Sequence, residues 1–296
     1  MAEEGISLAR ASPPHPPPLV GLPFIDEDPK EIWENCFQRQ KSLYELLSKK
    51  KAKRYMDTFR REKALNLVWH SNKLEGTLPP GISQGDTHAI LKNMYSKTND
   101  IELPQNNGER QLVQHLLAYK NLCESGVSND SPLSEELIRG THKILMDRLL
   151  TEENQPIQAG AYRCISMRAG KYTFPDHSTI PEAMKSIVAE YNRKAASSHD
   201  TYELASWLLF KVASLHPFED GNGRLCQLLS CYSLMRDGLP FPLTISSGRS
   251  KAPKHFLWCI KKGQQQQTDP PPQLTTLIVA SVYRSWSNFY LNLEFV

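Results

Sequence analysis

His216-Pro217-Phe218-Glu219-Asp220-Gly221-Asn222-Gly223-Arg224 breaks two long apolar segments with a burst of polar and flexible residues. Before it, Leu204-Ala205-Ser206-Trp207-Leu208-Leu209-Phe210-Lys211-Val212-Ala213-Ser214-Leu215 is apolar nearly all round, the pattern of a helix buried on every side. After it, Leu225, Leu228, Leu229, Tyr232 and Leu234 recur at helical spacing until Gly238 and Pro240 end the pattern. The nine residues therefore join two central helices, and the rest of the chain is read outward from that junction.

The junction combines the parts of a phosphate site. Gly221-Asn222-Gly223 reaches backbone conformations closed to other residues and stands where a helix begins, so successive amides can converge on an anion at the positive end of the dipole. Arg224 falls in that first turn, where a cation opposes the dipole, and an incoming phosphate reverses the sign of that effect. Asp220 offers a hard oxygen suited to magnesium, and His216 a proton acceptor near neutral pH. A glycine-rich corner of a helical bundle needs neither side chain, which favours phosphate chemistry over a plain turn.

The nine residues resemble the signature of the Fic (Fido) family, His-Pro-Phe-x-Asp/Glu-Gly-Asn-Gly-Arg-x-x-Arg. The match runs unbroken through Arg224, and Gln227 stands where the pattern has its second arginine. The resemblance implies an all-α, mainly helical bundle with one short β-hairpin flap. It implies a protein adenylyltransferase that moves AMP from ATP, with Mg2+ or Mn2+, onto a Ser, Thr or Tyr hydroxyl of a target protein. In that reading His216 accepts the hydroxyl proton, Asp220 holds the metal, and Gly221, Asn222, Gly223, Arg224 and Gln227 contact the nucleotide. The family arginine at the Gln227 position binds the distal phosphate. Its replacement leaves open ATP use with Arg236 or Arg249 compensating, another nucleotide donor, or a nucleotide-binding module without turnover.

From Asp28, an N-cap followed by Pro29, to about Gly76 the pattern is helical in two pieces, with Ile32, Trp33, Phe37, Leu43, Leu46 and Leu47 in the first and Ala64, Leu65, Leu67, Val68 and Leu74 in the second. Glu75 lies in the last turn, where a carboxylate opposes the dipole. As a surface acid it costs a few tenths of a kcal/mol; as a functional group it is aimed at a cation. Ser71-Asn72-Lys73-Leu74-Glu75-Gly76 resembles the family's inhibitory motif, Ser/Thr-x-x-x-Glu-Gly, in which the glutamate obstructs productive placement of the nucleotide. Ser71 and Glu75 are four apart and share a helix face. The same glutamate could orient water for the reverse, de-AMPylating reaction.

Gly160 to Phe174 carries strand-like residues on either side of an Ala-Gly turn and is expected to form a hairpin. The resemblance makes it the flap that clamps an extended target segment, with Ser166, Met167, Arg168 and Ala169 counted among the nucleotide-site residues. Leu78 to Gly108 reads as loops around a helix at Thr87 to Tyr95, with helices at Gln111 to Cys123, Ser134 to Leu150, Lys254 to Lys261 and Leu274 to Leu293. Gln264 to Gln267 reads as linker, and His255 or Phe256 falls near where family members place an aromatic against the base. The expected organisation is a disordered Pro-rich tail at 1–27, an N-terminal helical region at 28–130 holding the inhibitory helix at about 58–76, and a Fic core with a C-terminal helix at 131–296.

A formal charge of +3 over 296 residues argues for neither nucleic acid nor membrane as a partner, and the Lys49-Lys50-Lys51-Ala52-Lys53-Arg54 run reads as a solvated helix face. The six cysteines form no C-x-x-C pair, several lie in apolar helices, and reduced packing thiols are expected. With no signal-like start and no bilayer-length apolar run, the chain is expected to be cytoplasmic, with a nuclear location and a homodimer open.

Overall fold

At the centre of the fold, helices α8 (Thr201–Leu215) and α9 (Asn222–Arg236) pack along one another, and both are buried over most of their length. The computed structural model describes residues 16–95, 102–128, 131–150, 155–197, 199–245 and 252–293. Asp200 starts α8 by accepting the amides of Tyr202 and Glu203, and its other carboxylate oxygen accepts from Trp33 Nε1 at 2.9 Å.

Around this pair stand α1 (Pro29–Leu47), α2 (Lys50–Glu75), α3 (Gln84–Tyr95), α4 (Asn107–Tyr119), a π-helical turn at Lys120–Ser125, α5 (Gly126–Ser128), α6 (Glu135–Met146), α7 (Ile180–Ala196), α10 (Ala252–Gln266) and α11 (Pro272–Leu293). The one sheet among the described residues is the hairpin of β1 (Arg168–Ala169) and β2 (Tyr172–Thr173), in register Arg168 to Thr173 and Ala169 to Tyr172. A single cluster of buried side chains runs from Leu22 to Phe289. It crosses the expected boundary at 130/131, because α4 packs on α6 and α1 packs on α11.

The all-α class with one short hairpin is what the structure shows; several finer expectations differ. Residues 16–28 are packed rather than disordered: Leu22, Phe24 and Ile25 are buried, and Val20 N–H donates to Thr276 Oγ1. Three apolar anchors outweigh the extended, proline-rich start; residues 1–15 lie outside the described residues. The expected helix at about 58–76 begins instead at Lys50, because the basic run continues the helix with its cations in solvent. Helix α3 opens earlier, at a reciprocal cap in which Ser83 Oγ accepts from Asp86 N–H and Asp86 Oδ2 accepts from Ser83 N–H. The hairpin pairs only four residues and turns at Gly170-Lys171, so Ser166 and Met167 precede the strand. Gln264 to Gln266 belong to α10 rather than to a linker, and Gln267 leaves the helix with φ 53°. The sequence reading gave no element to 180–196, where Pro181 opens α7 and Met184, Ile187 and Tyr191 supply its buried stripe.

Five cysteines are buried and Cys164 is exposed, all as free thiols. Among the described residues no helix is long and apolar enough to cross a membrane.

Candidate active site

The bend between α8 and α9 is made by backbone geometry that few residues accept. His216 ends α8 with φ 51°, in the left-handed region, and Gly221 caps α9 with φ 76°. A Cβ at Gly221 would also fall 2.6 Å from Met146 Sδ, so glycine is required there twice over. The first bond within α9 runs from Leu225 N–H to Gly221 O, which leaves the amides of Asn222, Gly223 and Arg224 as the unpaired donors of a helix N-terminus. Gly221 N–H does not join them, because it donates to Asp220 Oδ1 at 2.5 Å.

Asn222 holds the bend closed. Its buried carboxamide accepts from Phe218 N–H at 3.0 Å and donates to Phe218 O at 2.8 Å. The side chain expected to contact the nucleotide is therefore committed to the loop, which leaves only the Asn222 backbone amide available at the start of α9. Replacing Asn222 by alanine strands a buried N–H and a buried C=O, and is expected to cost about 3 kcal/mol. Urea unfolding measures this; a loss below about 1 kcal/mol would show that the loop closes without the brace.

Two residues that the sequence reading missed fix the loop from behind. His142 is buried in α6 and stacks on Phe218 with ring centroids 3.8 Å apart. Its Nδ1 accepts from Gly160 N–H at 2.9 Å, so the ring proton is on Nε2, which donates to Asp220 O at 2.9 Å. Arg163 is also buried, and its guanidinium donates to the carbonyls of His216, Ile165 and Pro175. No residue-type pattern announces these contacts, since their partners are backbone groups far away in sequence.

His216 faces the flap. Its ring stacks on Phe174 at 4.1 Å, and Phe174 N–H closes the hairpin base on Met167 O at 3.1 Å. Burial, reinforced by the Arg163 charge, lowers the His216 pKa to about 4, against the opposing effects of Asp220 and a hydrogen bond to the Ala213 carbonyl. The imidazole is neutral at neutral pH and competent to take a proton. Ser166, Arg168 and Ala169 are exposed and Met167 half-buried along the hairpin edge, while Arg163 and Phe174 join the flap to the loop.

Arg224 lies 1% exposed beneath the first turn of α9. It donates to Gln111 Oε1 at 2.7 Å and to Met146 Sδ at 3.4 Å, with Asp220 Oδ2 4.0 Å away. Its Nε has no partner among the described residues, and burial lowers its pKa. A buried cation with one half-exposed carboxylate at the limit of ion-pair range leaves positive potential where the α9 amides point.

Glu75 occupies that place. A Cβ at Gly223 would lie 2.0 Å from Glu75 Oε1, so the carboxylate sits directly on the first turn of α9. Burial raises the Glu75 pKa; the Arg224 charge opposes this and Asp220 adds to it. Ser71, one turn earlier on α2, is fully buried and donates to Gln227 Oε1 at 2.8 Å. Gln227 thus takes up Ser71 rather than Glu75, and its buried Nε2 has no partner among the described residues. Arg236 bonds to Ser131 O and Tyr232 Oη at the far end of α9, away from the loop, and Arg249 lies outside the described residues. His255 stacks on Phe24 at 3.8 Å and Phe256 is buried in the core.

Of the bend's two acidic side chains, Glu219 and Asp220, it is Asp220 that lies within ion-pair range of Arg224, and no cluster of three or more metal-ligating side chains occurs among the described residues. A single half-exposed carboxylate suits magnesium arriving with phosphate oxygens and its own waters, and does not form a closed metal cage.

The sequence profile of the Fic/DOC family matches residues 132–234. A Fido domain-containing protein of Dictyostelium discoideum is 30% identical over 142 residues, which cover 47% of this chain and 96% of that protein. Protein adenylyltransferase fic-1 of Caenorhabditis elegans is 27% identical over 181 residues, which cover 61% of this chain but only 33% of the relative, so the match spans about a third of that protein's length. Among solved structures, a Fic domain containing signaling protein from Bacteroides thetaiotaomicron aligns with a TM-score of 0.71 at 21% identity, covering 89% of this chain and 98% of that one. Fic-1 from C. elegans aligns at 0.67 and 19% identity, covering 90% of this chain and 73% of that one.

Proposed function

The chain belongs to the Fic/DOC family, and on that premise we propose that it transfers AMP from ATP to a hydroxyl of a protein target. The observation that carries the reading is the juxtaposition of a neutral imidazole at His216 with an anion site at the start of α9. The hydroxyl oxygen attacks the α-phosphorus, the bond from that phosphorus to the bridging oxygen breaks, and pyrophosphate leaves. The proton passes to the His216 nitrogen that is not bonded to the Ala213 carbonyl.

The amides of Asn222 and Gly223, with Arg224 beneath them, stabilise charge on the phosphate oxygens. Asp220 would hold magnesium together with those oxygens, and the metal's contribution is charge neutralisation across the phosphates. The exposed edge of the hairpin receives the target as an added strand, which places its hydroxyl over the loop. Glu75 restrains the reaction by occupying the phosphate position.

The test is incubation of the purified chain with magnesium and α-labelled ATP, with self-modification as the readout. Label is expected on the Glu75→Gly form, and Asp220→Ala is expected to weaken nucleotide binding only when magnesium is present. Absence of label from Glu75→Gly with every nucleotide tried would overturn the transfer reading. An unchanged magnesium dependence in Asp220→Ala would remove the metal role alone.

A further inference from the structure

Arg163 lies outside the nine-residue loop and is 4% exposed. Its Nε donates to His216 O at 2.7 Å, its Nη1 to Ile165 O at 2.6 Å, and its Nη2 to Pro175 O at 2.7 Å and Leu215 O at 3.4 Å. Its backbone N–H donates to Pro217 O at 2.9 Å. Ile165 and Pro175 are the two feet of the hairpin, one just before β1 and one just after β2. Leu215, His216 and Pro217 are the end of α8 and the left-handed bend. One planar fork therefore joins both feet of the flap to the backbone that aims the imidazole, and no acidic side chain lies in ion-pair range of it among the described residues.

We propose that Arg163 is a positioning residue that sets the flap in register with His216, so that the clamped target hydroxyl and its proton acceptor are fixed by the same guanidinium. This rests on the transfer reading of the site, and a loop-packing role alone is the competing account. A two-strand hairpin is marginal by itself, so its orientation must come from outside the strands. The fork supplies it through four carbonyls at once, which a lysine, with its donors on one atom, cannot reproduce.

Two readouts need no turnover. His216 is titrated by NMR, and amide exchange is followed at Phe174, whose N–H closes the hairpin base. Both are measured in the native chain, Arg163→Lys and Arg163→Met, with exchange in α8 and α11 as the reference for global opening. Arg163→Met removes both the charge that depresses the His216 pKa and the fork that holds the flap. It is expected to raise that pKa and to speed exchange at Phe174 at least tenfold relative to the reference helices. Arg163→Lys keeps the charge and is expected to speed exchange similarly, with a smaller shift at His216. Native exchange at Phe174 in either folded variant would overturn the proposal. So would an unchanged His216 pKa in Arg163→Met or, should that variant not fold, in Arg163→Gln. If these readouts behave as expected while Glu75→Gly gives no label with any nucleotide, the transfer reading fails, and the coupling of the flap to the His216 backbone through Arg163 stands.

Discussion

Removing the imidazole of His216 is expected to lower label transfer from ATP by roughly a hundred- to ten-thousand-fold, the range for loss of a general base. The better variant is His216→Asn. His216 has φ 51°, and asparagine tolerates that backbone where alanine is strained, so His216→Ala mixes a folding cost with the chemical one. Nucleotide binding should survive in His216→Asn, because the phosphate-facing groups belong to α9. Transfer at the native rate by a folded His216→Asn would assign the base elsewhere.

The same ring predicts the acid limb. With its pKa lowered to about 4, His216 stays neutral well below the ordinary histidine range, so transfer should persist through mildly acidic pH and fail only near pH 4. Stability fails earlier. His70, His142 and His216, each near 4, and His115, near 3, are all held neutral by burial and titrate near 6.5 once unfolded. The unfolded chain therefore takes up protons before the folded one, and stability falls as pH drops from about 6.5 toward 4. The rate at low pH has to be read together with the folded fraction.

The loop and its two helices were readable because the polar interruption stands out against segments that are apolar on all sides. The odd placement of Glu75 was readable because a glutamate before a C-terminal glycine is badly placed for its own helix, and the structure brings its carboxylate to the start of another. What stayed hidden has a common physical form. Arg163, His142 and Asn222 act on backbone carbonyls and amides, and a backbone group leaves no residue-type trace at the other end of the contact. The packed segment at 16–28 was hidden differently: Leu22, Phe24 and Ile25 are too few to form a period, and their burial depends on α10 and α11 more than two hundred residues away. Helix α7 was overlooked although Pro181 and the spacing of Met184, Ile187 and Tyr191 gave an ordinary helical signal.

Glu75→Gly is expected to give the largest gain. In the native chain the carboxylate rests on Gly223, so any phosphate drawn to the first turn of α9 meets both its bulk and its charge. Taking it away clears that space and leaves Arg224 uncompensated except by Asp220, which strengthens the attraction for phosphate. In family members with a second arginine, the glutamate's removal also frees a cation, and here Gln227 offers only a neutral carboxamide already bonded to Ser71. A charge-assisted hydrogen bond contributes roughly 1.5–3 kcal/mol and a neutral one about 1, so a deficit of about 1 kcal/mol in ATP binding should remain after Glu75 is gone. Adding Gln227→Arg to Glu75→Gly should then raise the initial rate at sub-saturating ATP further, by roughly five- to tenfold if the whole deficit is recovered. Equal rates for the single and double variants would mean that the γ-phosphate is already served by another cation, or that the true donor has none. No gain from Glu75→Gly alone would mean that the carboxylate on Gly223 leaves when nucleotide binds, and that α2 is scaffold and not restraint.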